Sequence, residues 1–420
     1  MSVNRIVMLG FVTLISLSGA AWGRGESHPR ALGMGGAYIA LARDVEAPDW
    51  NPANLGLSRS SGTRLNLFNT GLRIRNNAFS LADYKKYNGQ YLDDADKDDI
   101  LTSIPAQGLG ADASAEISAL NFTIGNLAIT YKGYGSSSVY IDRDPLKLLF
   151  LGNAVMRDVS LTSTRGEGYA FADFAASYGY EIRRWQGGEM AIGASLHYLQ
   201  GLAYSKVIET SGGVVTTDTG YVGEGYVKVH SSHGGRGFSS DLGLAVRFRD
   251  NWYFSATWQN VLNKVFWTRG NEESVYSFFM EPLTIERLSS GIDINSLVTT
   301  GETSYSVGPF SSRLAPVIRL GIARSYPGLT WSVDWEQSLF DGPCQGVNPR
   351  LAAGIEYLAW RFMPIRSGLA FGGSQGSLFS IGFGLRFGMY EFDAAAANAG
   401  SPSPWHTRGI RLAAGMGLRF

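Results

Sequence analysis

The sequence predicts an all-β chain, a transmembrane antiparallel β-barrel of about fourteen strands. Three observations carry this. Apolar residues alternate with glycine or charge through most of the chain, the alternating stretches approach the ~9 to 11 residues that a tilted strand needs to cross a bilayer, and no internal segment reaches the ~20 residues of a spanning helix. Composition agrees. Of 420 residues, 53 are glycine, 45% are apolar, 12% are aromatic and only 17% are charged. Glycine costs a helix about 1 kcal/mol relative to alanine but is tolerated in bent or closely packed sheets. Because 36 basic residues balance 36 acidic ones, there is no cationic surplus for nucleic acid. A single cysteine, Cys344, excludes an internal disulfide framework and a cysteine-built zinc site, and neither a metal nor a cofactor is implied.

At the N-terminus, Arg5 precedes an apolar run at 6–17 and the small-residue stretch Ser18, Gly19, Ala20, Ala21, Trp22, Gly23. The run is too short to span, and Ala21 and Gly23 satisfy the small-x-small rule, so residues 1–23 read as a signal peptide cleaved before Arg24. The exported remainder is either water-soluble or a membrane barrel, and strand length favours the barrel, since strands of soluble sandwiches average ~5 to 6 residues.

The strands are clearest from the C-terminal end. Ile410, Leu412, Ala414, Met416, Leu418 and Phe420 face one way, while Arg411, Ala413, Gly415, Gly417 and Arg419 face the other. The same split recurs at 390–394, 381–387, 351–357, 329–336, 318–322, 242–248, 190–198 and 170–178. Further candidate strands lie at 63–69, 72–80, 116–123, 126–134, 252–260 and 363–372. A charge toward lipid at mid-membrane costs ~2 to 4 kcal/mol, so the charged face must line the lumen. Arg319, Asp334, Glu336, Glu356, Arg366, Arg386, Glu391, Asp393 and Arg411 then form a mixed-sign interior able to pair across strands, which argues against a single-sign ion filter. Pro364 removes a ladder donor and reads as a bulge or a strand start. Residues 94–104 read as a short helix with acids in its first turn, 144–156 as a second, and 205–238 and 265–312 as long polar loops on the outer side.

The most specific stretch follows the signal: RALGMGGAYIALARD at 30–44, then WNPANLGL at 50–57. It resembles the N-terminal segment of the FadL-like outer-membrane barrels, which include the long-chain fatty acid transporters and the PorV-type proteins. Weaker similarity continues through GRGFSSDLGLAVRF at 235–248, WQNVL at 258–262, GIEY at 354–357 and the terminal Phe420. The resemblance implies fourteen strands and a hatch folded inside the lumen, with Gly33, Gly35, Gly36, Asn51, Pro52 and Ala53 as its motif residues. It also implies a domain plan of signal peptide 1–23, hatch 24–60 and barrel 61–420. The expected partners are outer-membrane lipid, the barrel insertion machinery acting on Phe420, and a hydrophobic small molecule such as a long-chain fatty acid. A PorV-like role in protein secretion or surface attachment, or a structural barrel without transport, is the alternative.

Other motifs are weaker. Gly33-x-Gly35 fails as a dinucleotide fingerprint because Tyr38 holds its last position. Gly372-Gly373-Ser374-Gln375-Gly376 matches G-x-S-x-G, with Asp393 and His406 following in hydrolase order, but an alternating strand follows where the elbow needs a helix, so a hairpin turn is expected. Asp94, Asp96 and Asp98 lack the glycine and the final glutamate of a calcium loop. His197 faces the lumen without a partner at ligand spacing, and Cys344 falls in a turn.

Overall fold

The computed structural model describes residues 25–420 apart from 59–62, 152–157, 161, 163, 218–219, 285–286, 288–296, 341–346, 374–375 and 402. The signal segment 1–23, Ser374 and Cys344 therefore lie outside the described residues.

Fourteen antiparallel strands close into a barrel. In chain order they are β1 (Arg64–Asn76), β2 (Leu109–Ile124), β3 (Leu127–Ile141), β5 (Arg165–Trp185), β6 (Gly188–Thr217), β8 (Gly234–Phe248), β9 (Trp252–Arg269), β13 (Val317–Tyr326), β14 (Leu329–Ser338), β15 (Arg350–Trp360), β16 (Met363–Gly372), β17 (Leu378–Phe387), β18 (Tyr390–Ala399) and β19 (Gly409–Arg419). Closure is direct: β1 pairs with β19 from Arg64↔Arg419 to Arg75↔Gly409, so the wall of fourteen strands closes on itself. Two- and three-residue turns such as 125–126, 186–187 and 249–251 join strands at one end, and the long connections lie at the other.

The expected pleat is present. Ile410, Leu412, Ile355, Tyr357, Leu196 and Phe174 are exposed on the outer wall, while Arg73, Asp173, His197, Asp241 and Arg366 are buried inside. At the short-turn end the outer wall carries an aromatic girdle, with Trp185 packed on Phe248, Trp252 on Trp331 and Trp360 on Phe362. Such rings suit the depth where hydrocarbon meets headgroups. Pro364 is the second residue of β16, as the strand-start reading has it, and the register shift beside it lies on the facing strand, between Leu358 and Trp360 of β15.

Two expectations need correction. The candidates at 63–69 and 72–80 are one strand, β1. The strand runs on through Thr70–Gly71, where the wall faces an interior partner: a side chain at Gly71 would overlap the Glu26 carbonyl. The segments 205–238 and 265–312 are not mainly irregular loops either. They extend β6 and β9 and add β7 (Gly220–Ser232), β10 (Glu272–Leu283), β11 (Val298–Ser306) and the short β12 (Phe310–Ser312), while β4 (Asp158–Ser160) pairs with the extended part of β6. Their valine, threonine and tyrosine content favours strands, but beyond the membrane both faces of a sheet can meet water, so the hydrophobic alternation fades. The helices at Asp94–Ser103 and Arg143–Leu151 fall where the acids and apolar spacing place them, the first capped by the Asp93 side chain on the Asp96 N–H.

Candidate functional site

Residues 25–58 fill the lumen at the short-turn end and are buried almost throughout. A short helix at Pro29–Gly33 leads into a glycine loop, and a 3₁₀ turn at Pro52–Gly56 follows Asn51. Asn51 Oδ1 accepts the Ala53 N–H at 3.0 Å, and its Nδ2 donates to the Leu244 carbonyl of β8 at 2.9 Å. Asn54 Nδ2 donates to the carbonyls of Ile39 (2.8 Å) and Ala42 (2.9 Å), tying the turn to the preceding loop.

Two glycine surfaces of the wall receive this segment. Gly179, Gly193 and Gly243 are register partners across β5, β6 and β8. Side chains there would overlap Gly56, Ala53 and Asn51 respectively. On the opposite part of the wall Gly354 and Gly368 are register partners on β15 and β16, and side chains there would overlap Met34 and Gly35. The loop answers with its own glycines. Gly35 adopts φ +68° with the Leu369 backbone nitrogen 2.8 Å from where a Cβ would stand, and its N–H donates to Ser380 Oγ at 2.9 Å. Thus Gly33, Gly35 and Gly36 meet one socket, whereas Asn51, Pro52 and Ala53 meet the other.

Ion pairs lock the same segment. Glu26 bridges Arg73 (3.0 Å) and Arg411 (2.5 Å), which are themselves register partners across the closing seam. Burial alone would raise the Glu26 carboxyl, but Arg411 and Arg73 outweigh it and hold it below its ordinary value. Arg30 forks onto Glu356 at 2.9 and 2.7 Å, and Glu356 continues to Arg366, which reaches Asp393 at 2.6 Å. Asp334 accepts the N–H groups of Tyr38 (2.5 Å) and Ile39 (2.7 Å). Arg319 pairs with Glu336 at 2.7 Å and stacks over Trp50. The lumenal charges therefore pair as their mixed signs suggested.

On the β3–β9 side the pairs form a buried chain. His28 Nε2 meets Asp49 at 2.8 Å, Asp49 takes the Lys132 ammonium, Lys132 lies 3.9 Å from Asp173, and His197 bridges Asp173 (3.0 Å) and Asp241 (3.2 Å). Burial opposes charge on the His28 imidazole, but Asp49, Glu46 and Glu116 prevail and raise it above its ordinary value. Burial likewise opposes the Asp49 carboxylate, but Lys132 and His28 prevail and hold it well below the carboxylate range. His28, Asp49 and Glu116 approach within 4.8 Å of one another, a spacing that admits a metal ion. Yet Lys132 and His28 already occupy Asp49, and Ser27 Oγ (2.6 Å) and the Gly25 N–H (3.0 Å) already occupy Glu116, so protein donors satisfy both carboxylates.

One inward position further toward the long-loop end, the lining changes character. Tyr134 and Phe171 follow Lys132 and Asp173 on β3 and β5, and with Leu199, Tyr204, Val265, Trp267 and Leu314 they form a buried apolar cluster. Trp267 centres it, 5.1 Å from Tyr204 and 5.6 Å from Phe171 between ring centroids, with Nε1 donating to Ser312 at 2.9 Å.

Sequence reasoning named the glycine and Asn-Pro-Ala motifs, gave Asp49 and Asn54 beside them no role of their own, and did not single out His28, Lys132 or Trp267. The period-2 register of the candidate strand at 126–134 puts Lys132 on the lumen face, which was the available signal. Asp393 is bound to Arg366 and Arg386, while His406 lies exposed beyond the other end of β18, so no hydrolase constellation joins them. Phe420 sits at the short-turn end, exposed, its N–H on the Thr63 carbonyl at 3.1 Å.

The fold and interior define a plugged transmembrane β-barrel. Solved structures of similar fold include the Ralstonia pickettii toluene transporter TbuX, 13% identical with a TM-score of 0.53 over 97% of this chain and 100% of that one. They also include a Pseudomonas aeruginosa FadL homologue, 11% identical, TM-score 0.54, over 96% of this chain and 100% of that one. The P. putida toluene transporter TodX is 11% identical, TM-score 0.51, over 96% and 99% respectively. At such identities the likeness is one of fold. No protein-family profile matches the chain, and no curated protein matches it in sequence.

Proposed function

We propose that this chain is an outer-membrane channel for the uptake of hydrophobic compounds, long-chain fatty acids among them, with residues 24–60 as its hatch. The observation that carries the reading is the buried aromatic layer directly beyond a lumen filled by glycine-docked chain. Water gains little from rings such as Trp267 and Phe171, whereas an apolar solute leaving water gains ~25 cal/mol per Å² buried. Two of the solved barrels of similar fold are toluene transporters, which fits the same chemistry. The test is uptake of a labelled fatty acid and of labelled toluene into proteoliposomes. Saturable entry of either is expected, and Trp267→Ala should lower it while leaving ion conductance unchanged. Absence of saturable uptake by the intact, closed barrel overturns the proposal.

One observation favours the PorV-like alternative. The extended part of β6 continues through β7 and β10 to β11, whose residues Val298–Ser306 are almost all exposed and pair on one edge only among the described residues. A projecting strand edge suits a protein partner better than a small molecule. Failed uptake with a properly closed barrel would favour this reading.

A further inference from the structure

The outer wall across β8, β9, β13 and β14 carries a feature that the interior does not explain. Register places its outward side chains in rows. Arg324 faces Trp252 on one side and Trp331 on the other, the next row is Phe254, Ile322 and Val333, and the next is Ala256, Leu320 and Trp335. Ala256 is the small member, set between Leu244 and Leu320. The missing side-chain volume opens an apolar groove of about 430 Å³ on the lipid-facing surface. Its floor is the backbone at Gly321, behind which Ile39 of the lumenal segment is packed.

Arg324 stands at the foot of this groove, inside the aromatic girdle. Its guanidinium lies 4.9 Å from the Trp252 ring and 4.5 Å from the Tyr326 ring, and its Nε is buried without a hydrogen-bond partner. No carboxylate of the described residues pairs with it. The two flanking rings hold the cation at a fixed place and orientation. Rows two residues apart are separated by ~6.6 Å, so the groove begins one row from the guanidinium and continues to the next. A headgroup phosphate at Arg324 thus leaves a glycerol ester to cross the first row and an acyl chain to enter the groove. Inside a bilayer the chain exchanges one apolar medium for another, so the groove contributes packing, and selection comes from the phosphate. With one unpaired cation and no carboxylate to receive an ammonium, the charge matches an anionic headgroup.

We propose that this wall holds one anionic glycerophospholipid, its phosphate on Arg324 and one acyl chain in the groove over Ala256. The test is native mass spectrometry of the whole purified protein in mild detergent, with phosphatidylglycerol or phosphatidylcholine added in parallel. The intact protein should retain one phosphatidylglycerol, in preference to phosphatidylcholine by about tenfold. Arg324→Gln should abolish that preference, and Ala256→Phe, which fills the groove, should remove retention of either lipid. Migration of each variant as a folded, heat-modifiable band checks that the barrel is closed. Equal retention by the intact protein and both closed variants overturns the proposal. So does equal competition by glycerol phosphate, which would mark an ion site without a place for the chain.

Discussion

The same strands line two different interiors. Along β6 the inward positions read Gly193, Ser195, His197, then Leu199, and along β5 they read Gly179, Ser177, Ala175, Asp173, then Phe171 and Tyr169. At the short-turn end the wall meets backbone, so it gives up its side chains and offers glycine, with charges to fix the segment it receives. Toward the long loops the wall meets other side chains, so it offers rings and leucine. The identity of an inward residue thus records what it faces, and a lumen that appears merely glycine-rich in sequence is a mould for another part of the chain.

The largest expected effect comes from spoiling the mould without touching the segment it holds. Gly193→Val places a branched side chain where the Ala53 backbone lies, and overpacking against backbone costs ~1–3 kcal/mol or more. Valine favours strands, so the barrel should still close. We expect ion conductance in planar bilayers to rise by about tenfold or more, each 1.4 kcal/mol being a factor of ten in the ratio of unseated to seated segment. Conductance equal to the parent in a closed barrel would show that the segment does not restrict the lumen. Trp267, in the other interior, provides the contrast, because its loss should alter uptake and leave conductance alone.

A smaller effect is expected at the seam. Glu26→Gln keeps the shape but leaves Arg73 and Arg411 buried beside each other without their shared carboxylate. Removing one partner from a buried charge cluster costs ~3–5 kcal/mol, part of which water entering the lumen offsets. The urea midpoint of the folded, fast-migrating gel band should fall, and restoring charge with Glu26→Asp should recover part of the loss. An unchanged midpoint would mean that the strand ladder alone determines seam stability.

Much of this architecture was legible. Alternation located the spanning strands because a half-lipid, half-lumen wall enforces period two, and the mixed signs of Arg319, Glu336, Glu356, Arg366 and Asp393 anticipated pairing across them. The failures share one cause. The candidates at 63–69 and 72–80 were split at Thr70–Gly71 because the small size of Gly71 answers to the Glu26 carbonyl, more than forty residues upstream. His197 looked solitary because Asp173 and Asp241 lie 24 and 44 residues away in sequence and become neighbours only when β5, β6 and β8 align. Local pattern shows the face a residue takes, not what waits on that face.

The last comparison is within the charged layer, between the His28 pair and the arginine pairs, since of these only the former contains a group whose ordinary value lies near neutrality. A histidine raised above its ordinary 6.5 contributes stability that is fully present below that value and is lost as pH rises through the folded value. Asp49 works in the opposite direction. Its depressed carboxyl contributes above its ordinary 3.8 and fails only in acid, so it stays ionised throughout the alkaline arm. Raising pH through the folded value of His28 therefore removes the imidazolium charge that Asp49 binds and that Glu46 and Glu116 favour, while Arg30–Glu356 and Glu26–Arg411 persist. The seated segment should loosen modestly, because Lys132 still holds Asp49. Conductance should climb with this rise in pH in the parent and stay flat in His28→Gln, whose amide keeps a donor near Asp49 but carries no charge. A parent that shows no rise, or a variant that retains the full rise, would remove His28 as the titrating group and leave the glycine sockets and arginine pairs to hold the segment at every pH.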